Sequence, residues 1–450
     1  MLNRIVLDKL RQWKNNSNRK PLILRGARQV GKTTAVTMFA TEFDDYIYLN
    51  LENIEDQKIF NSNYTFDEIL AAIFFYKKTE RNKKKKTLIF IDEIQNSSTA
   101  VSMMRYFYEK ANELFVITAG SLLETLIETQ INFPVGRVEY MFMYPFTFYE
   151  FLQAMNETEI LEILEKFSIP DLAHDKILNL FHKYTLLGGM PEIIQHYRKT
   201  KDIVSLNNIY QSLMLGYMND IEKYTKNARS ANIIRHAIEH APLEAGKRIK
   251  FQGFGQSNYG SKEMGEALKT IEKALLIHLI YPITNITPPM LPNYKKSPKL
   301  QFLDTGLINY IAGLQKYYFE LNDLNSFYRG LIAEHIVGQE LIAHNLMPMG
   351  KLYFWIREKK QSTAEIDFVV QYNNHIIPIE VKSGKSGTLK SIHQFIDATN
   401  HNFAIRLYAG KIRLEKTKTT RGKEFYLLNL PYYLTFQLEH YVKKYFQENL

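Results

Sequence analysis

Short apolar runs alternating with stretches of helical period organise the first third of this 450-residue chain. Segments 22–24, 46–51, 88–91, 114–118 and 138–143 read as buried strands, and the pattern predicts an α/β fold, a doubly wound parallel sheet over residues 1–145. From 146 to 225 Leu, Phe and Tyr recur at helical spacing, interrupted by Gly188-Gly189-Met190-Pro191-Glu192, which predicts a helical lid. Between 226 and 312, Met264, Ala267, Leu268, Ile271, Ala274 and Leu275 share one helical face, and a Pro-containing excursion with Lys295, Lys296 and Lys299 follows. A winged-helix-like basic module fits this order, and a generic helical module fits it nearly as well. Beyond 325 the pattern changes again. A helix over 329–345, strands at 352–356, 365–370 and 376–382, a turn at Asn373-Asn374, a helix over 389–397 and a strand at 403–408 predict a last α/β domain spanning 325–450.

The first helix is preceded by Gly26-Ala27-Arg28-Gln29-Val30-Gly31-Lys32-Thr33, a complete GxxxxGK[ST] phosphate loop with a strand signal before it and Thr34 opening a helix after it. Glycines there let backbone N–H groups turn onto phosphate oxygens, Lys32 reaches the β/γ-phosphates, and the Thr33 hydroxyl is a ligand for Mg²⁺. The strand at 88–91 ends in Asp92-Glu93, which places Asp92 to hold Mg²⁺ and Glu93 to deprotonate the attacking water of ATP. Strand 114–118 ends near Thr118 and Ser121. Either is a candidate for the γ-phosphate or the water, and capping the next helix is the competing role, favoured for Ser121.

In the last domain Glu334 shares a helical face with Leu331, Val337 and Leu341, so a carboxylate is turned toward apolar surroundings. Asp367 begins one strand of a hairpin, and Glu380 and Lys382, two apart, point to one face of the other. This D…ExK order, with Glu334 or Glu340 as the helical acid, fits a site in which Asp367 and Glu380 hold divalent ions and Lys382 orients water at a phosphodiester. A cross-strand surface charge cluster is the alternative from spacing alone.

Composition narrows the partners. Lys plus Arg total 57 against 47 acids, a net charge of +10, and the stretch from 226 to 304 holds twelve basic and six acidic residues. That excess favours an anionic partner such as nucleic acid. The run at Lys83-Lys84-Lys85-Lys86 reads as a solvated loop, with a nucleic-acid contact as the second reading. There is no cysteine, which excludes a disulfide framework and fits a cytoplasmic protein. No apolar run reaches the length of a membrane span, and the N-terminus lacks the signal-peptide pattern, so no membrane partner is expected.

The strings RGARQVGKTT, IFIDEIQ, ITAGS, Gly136-Arg137 leading to Tyr144-Pro145-Phe146, LLGGMPE, FLDTGL and EIDFVV…IPIEVKSG resemble the prokaryotic AAA-type ATPases that carry a C-terminal domain of unknown function, over nearly the whole chain. The resemblance implies an AAA+ core with ATP and Mg²⁺ as cofactors, a lid, a winged-helix-like module and a C-terminal fold like the PD-(D/E)XK nucleases. It makes Arg137 a candidate arginine finger or γ-phosphate sensor, with a structural ion pair as the alternative, and a homo-oligomer follows if Arg137 acts in trans. Two functions are compatible with it. One is an ATPase acting on nucleic acid, DNA first, with metal-dependent cleavage as a further step. The other is a nucleotide-dependent switch that binds a protein partner through a catalytically silent nuclease-like domain.

Overall fold

In the computed structural model, residues 2–78, 86–120, 136–222, 225, 227–315, 331–344, 351–358, 364–384 and 388–447 are described. The chain forms two units, Met1–Tyr144 with Lys273–Leu275, and Pro145–Glu272 with Leu276–Leu450.

In the first unit the central apolar run becomes β3 (Thr87–Asp92), buried at every position because both of its faces are covered. With β1 (Leu22–Arg25), β2 (Asp45–Asn50), β4 (Phe115–Gly120) and β5 (Glu139–Phe142) it makes a parallel sheet of order β2-β3-β4-β1-β5. Among the described residues its α-helices are α1 (Ile5–Asn15), α2 (Lys32–Ala40), α3 (Ile54–Lys58), α4 (Phe66–Tyr76) and α5 (Ser98–Lys110). Ile69 and Ile73 of α4 and Met104 and Phe107 of α5 share one core with Ile47, Leu49, Ile89 and Ile91 of the sheet. All five strands run the same way, so their C-terminal ends share one edge, where α/β sheets bind ligands. The strands expected from the sequence are present with ends moved by one or two residues.

The second unit begins with helices, including Phe148–Met155, Ala173–Leu187, Pro191–Thr200, Asn207–Glu222, Ala228–His240 and Ser261–Lys273. Among the described residues its sheet has eight strands: β6 (Ile277–Ile283), β7 (Lys299–Phe302), β8 (Tyr353–Ile356), β9 (Glu365–Tyr372), β10 (His375–Val381), β11 (Phe403–Tyr408), β12 (Arg413–Lys418) and β13 (Glu424–Pro431), in the order β12-β13-β11-β10-β9-β8-β6-β7. The basic hairpin therefore differs from a free wing. β6 pairs with β7 on one side and with β8 on the other, so the strands of the 226–312 segment complete the sheet of the C-terminal residues. Lys299, expected on an exposed wing, is 4% exposed, whereas Lys295 and Lys296 between the strands are exposed.

The motifs LLGGMPE and FLDTGL meet in this unit. Asp304 caps the helix Thr305–Ile311 through Gly306 N (2.9 Å) and Leu307 N (3.3 Å), and it also accepts from Gly189 N at 2.6 Å. A side chain at Gly188, whose φ is +72°, would come within 2.0 Å of Asp304 Oδ1 and 2.6 Å of Gly306 N, which explains the glycine.

Candidate functional site

The phosphate loop leaves β1 at the C-terminal edge of the first unit's sheet. Met143 N donates to Arg25 O at 2.7 Å, and a Cβ on Gly26 would lie 2.4 Å from Met143 O, so only glycine fits beside the end of β5. Gly31, with φ +94° and ψ 25°, turns the chain into α2, and no side chain caps that helix. Its first N–H groups are thus left to an anion at the positive end of the helix dipole. Buried Lys32 donates from Nζ to the carbonyls of Gly26 and Ala27, both at 2.9 Å, lying back along the loop. Arg4, from the turn before α1, fastens the loop from outside by donating to Val30 O (2.9 Å) and Tyr144 O (2.6 Å).

The register of the parallel strands carries Asp92 to the loop. Thr33 Oγ1 donates to Asp92 Oδ2 at 2.7 Å across 59 residues of sequence. Asp92 is 4% exposed, and its carboxylate also accepts from Tyr48 OH (3.4 Å) and Glu93 N (3.0 Å). Burial first, and the Asp92 charge second, push the Tyr48 hydroxyl up to about 12, so it stays a donor. Glu93 sits in the left-handed region (φ 51°, ψ 42°), which costs a non-glycine residue about 1 kcal/mol and turns the side chain out of the strand direction. Gln95 Nε2 donates to Glu93 Oε2. Burial and then Asp92 raise the Glu93 carboxyl, while Gln95 and Lys32 pull the other way. A carboxylate raised in this way is the better proton acceptor. Thr33 and Asp92 offer a hydroxyl and a carboxylate oxygen side by side, a donor set that fits Mg²⁺.

Two expected residues stand elsewhere. Thr118 is fully buried, opposite Ile23 and Ile91 in the register, and its hydroxyl lies 3.5 Å from Leu22 O inside the sheet. Arg137 precedes β5, whose Glu139 is level with Leu22, so it lies at the edge of the sheet opposite the phosphate loop. There its Nε is 3.3 Å from Glu109 Oε1. Ser121 and Lys83–Lys85 lie outside the described residues.

In the second unit β9 and β10 form the expected antiparallel hairpin. Val381 N donates to Asp367 Oδ2 (2.8 Å), and Lys382 Nζ donates to Glu380 Oε1 (2.7 Å). Lys299 enters this group from β7, with Nζ 2.6 Å from Glu334 Oε1, 2.8 Å from Glu365 Oε1 and 3.7 Å from Asp367 Oδ1. Burial, followed by Asp367, raises Glu334 to about 8 and Glu380 to about 7. Burial works against the Lys299 ammonium, but Glu334, Asp367 and Glu365 outweigh it and hold its pKa above the usual range. Glu340 is engaged elsewhere, accepting from Phe148 N (3.0 Å) and Tyr184 OH (2.7 Å), so Glu334 is the helical acid of the group. Glu365 went unremarked in the sequence, although its position two residues before Asp367 puts it on the same strand face. Lys299, Tyr48 and Gln95 carried no such signal.

Residues 18–152 match the family described as AAA domain. Residues 178–318 and 329–433 match two families described as domains of unknown function, DUF8612 and DUF4143. No curated protein matches the chain. Among solved structures, the Walker-type ATPase PABY2304 of Pyrococcus abyssi is similar over 69% of this chain and 96% of its own, with 14% identity and a TM-score of 0.45. With its AAA domain and the loop described above, this is an AAA-type ATP-binding protein, and it is an ATPase. No helix among the described residues is long and apolar enough to cross a membrane.

Proposed function

We propose that ATP hydrolysis in the first unit serves an action on nucleic acid, DNA first, by the second unit. The observation that carries the ATPase half is the convergence of Thr33, Asp92 and Glu93 at the mouth of the phosphate loop. In this reading Lys32 exchanges its two loop carbonyls for β- and γ-phosphate oxygens, and the amides of Gly31 to Thr34 receive the remaining phosphate charge. Thr33 and Asp92 would hold Mg²⁺, which screens the charge on the phosphates. Glu93, kept in place by Gln95, takes the proton of the attacking water.

The nucleic-acid half rests on the basic excess between residues 226 and 304 and on the Glu334, Asp367, Glu380, Lys382 order of a nuclease-like fold. One observation favours the second reading, a nucleotide-dependent switch with a silent C-terminal domain that binds a protein partner. Asp367 and Glu334, expected to serve a metal or a phosphodiester, are in contact with Lys299. Purified protein assayed with ATP, Mg²⁺ and single-stranded, duplex or branched DNA and RNA separates the two readings, with phosphate release and strand scission read together. Stimulated phosphate release on nucleic acid supports the first. No binding to any of these at low salt overturns it.

A further inference from the structure

A divalent-ion site built on Asp367 and Glu380 needs carboxylate oxygens left over for the ion. The protein engages nearly all of them itself. Asp367 Oδ2 accepts from Val381 N, and its Oδ1 faces the Lys299 ammonium at 3.7 Å. Glu334 and Glu365 each place one oxygen on the same ammonium, at 2.6 and 2.8 Å, and the other Glu365 oxygen lies 3.6 Å from Arg248. Glu380 gives Oε1 to Lys382, which leaves its Oε2 as the one oxygen of Asp367 and Glu380 without a partner among the described residues. Lys299 is not a surface side chain that happens to fold inward. It is 4% exposed, it belongs to the β7 ladder opposite Ile280, and its ammonium lies 4.9 Å from the centre of the Phe354 ring. Buried carboxylates need a counter-charge, and a 2+ ion on Asp367 would stand within a few ångströms of a cation already supplying it.

We propose that Lys299 is the resident counter-cation of this acid group, so that the wild-type chain takes no divalent ion there and gains a hard-cation site when the ammonium is removed. The donor set of the wild type therefore does not fit the ion that the nuclease resemblance implies. This inference rests on reading residues 365–382 as a nuclease-like constellation. Retention of DNA by EDTA-washed protein tests that reading independently of the metal.

The experiment titrates the nucleotide-free full-length chain with Mn²⁺ and follows the loss of the free-ion EPR signal. Only uptake abolished by Asp367→Asn is counted, which sets aside the Thr33 and Asp92 site. Wild type is expected to show no such uptake, and Lys299→Met about one ion per chain, since hard oxygen ligands are then freed. The melting temperature of Lys299→Met should also rise with Mn²⁺ as mass action requires, and that of wild type should show no Asp367-dependent rise. If Lys299→Met does not fold, Lys299→Met with Glu334→Gln removes one charge of each sign and is read the same way. Asp367-dependent uptake by wild type, or none by a folded variant lacking the lysine, overturns the proposal.

Discussion

Replacing Arg137 with Ala should inactivate an assembled protein while leaving each chain folded. The register puts Glu139 level with Leu22, so six residue steps separate the level of Arg137 from that of Gly26, roughly 15–20 Å along the strands. No arginine side chain spans that distance, so any action of Arg137 on ATP is on the site of another copy. Its ion pair with Glu109 is weak. The Arg137 to Glu109 pair is 43% and 31% exposed, and pairs of that kind contribute about 0–1 kcal/mol. Loss of that pair should thus move stability by no more than about 1 kcal/mol, whereas loss of an arginine finger lowers turnover on the order of 10³-fold. The assay mixes Arg137→Ala chains, which keep a complete phosphate loop, with Lys32→Ala chains, which keep the arginine. Each alone should be inactive, and the mixture should regain phosphate release that depends on total protein concentration. An Arg137→Ala protein with normal turnover, or wild-type turnover per chain independent of concentration in a monomer, refutes the reasoning.

Glu93→Gln should still bind ATP but turn over about 10²–10⁴-fold more slowly, because the amide holds the water without accepting its proton; single-turnover phosphate release measures this, and an unchanged rate removes Glu93 from the base role. Gly188→Ala places a methyl within 2.0 Å of Asp304 Oδ1 at a φ of +72°, whereas Gly313→Ala, at φ +66°, meets nothing within 4 Å. The first should cost several kcal/mol and the second about 1 kcal/mol, so equal losses of melting temperature would contradict the packing described. If the exposed pair Lys295 and Lys296 contacts DNA phosphates, replacing both with Ala should lower the log–log salt slope of binding by about 1.8, and a slope that does not move excludes that contact.

Sequence by itself determined what depends on neighbours along the chain. The glycines, Lys32 and Thr33 of the loop are contiguous, the strand ending at Asp92 has a local apolar signature, and Glu380 and Lys382 share a face because strand side chains alternate. That Glu334 faces apolar neighbours was legible in the same way, from a period of 3.6, but the choice between it and Glu340 as the helical acid was not. Tertiary structure decided what depends on register and crossover. Only the parallel pairing shows that Thr33 and Asp92 touch, that Thr118 lies within the sheet and that Arg137 lies at its far edge. The same holds for Gly188 against Asp304, 116 positions apart, and for Glu340, reached by Phe148 across 192. Lys299 is the sharpest case. Its local surroundings, a Pro-containing basic segment, read as a solvent-facing wing, yet β6 and β7 complete a sheet whose other strands arrive more than fifty residues later. Burial beside three carboxylates, which no local period encodes, turned a surface charge into part of the core chemistry.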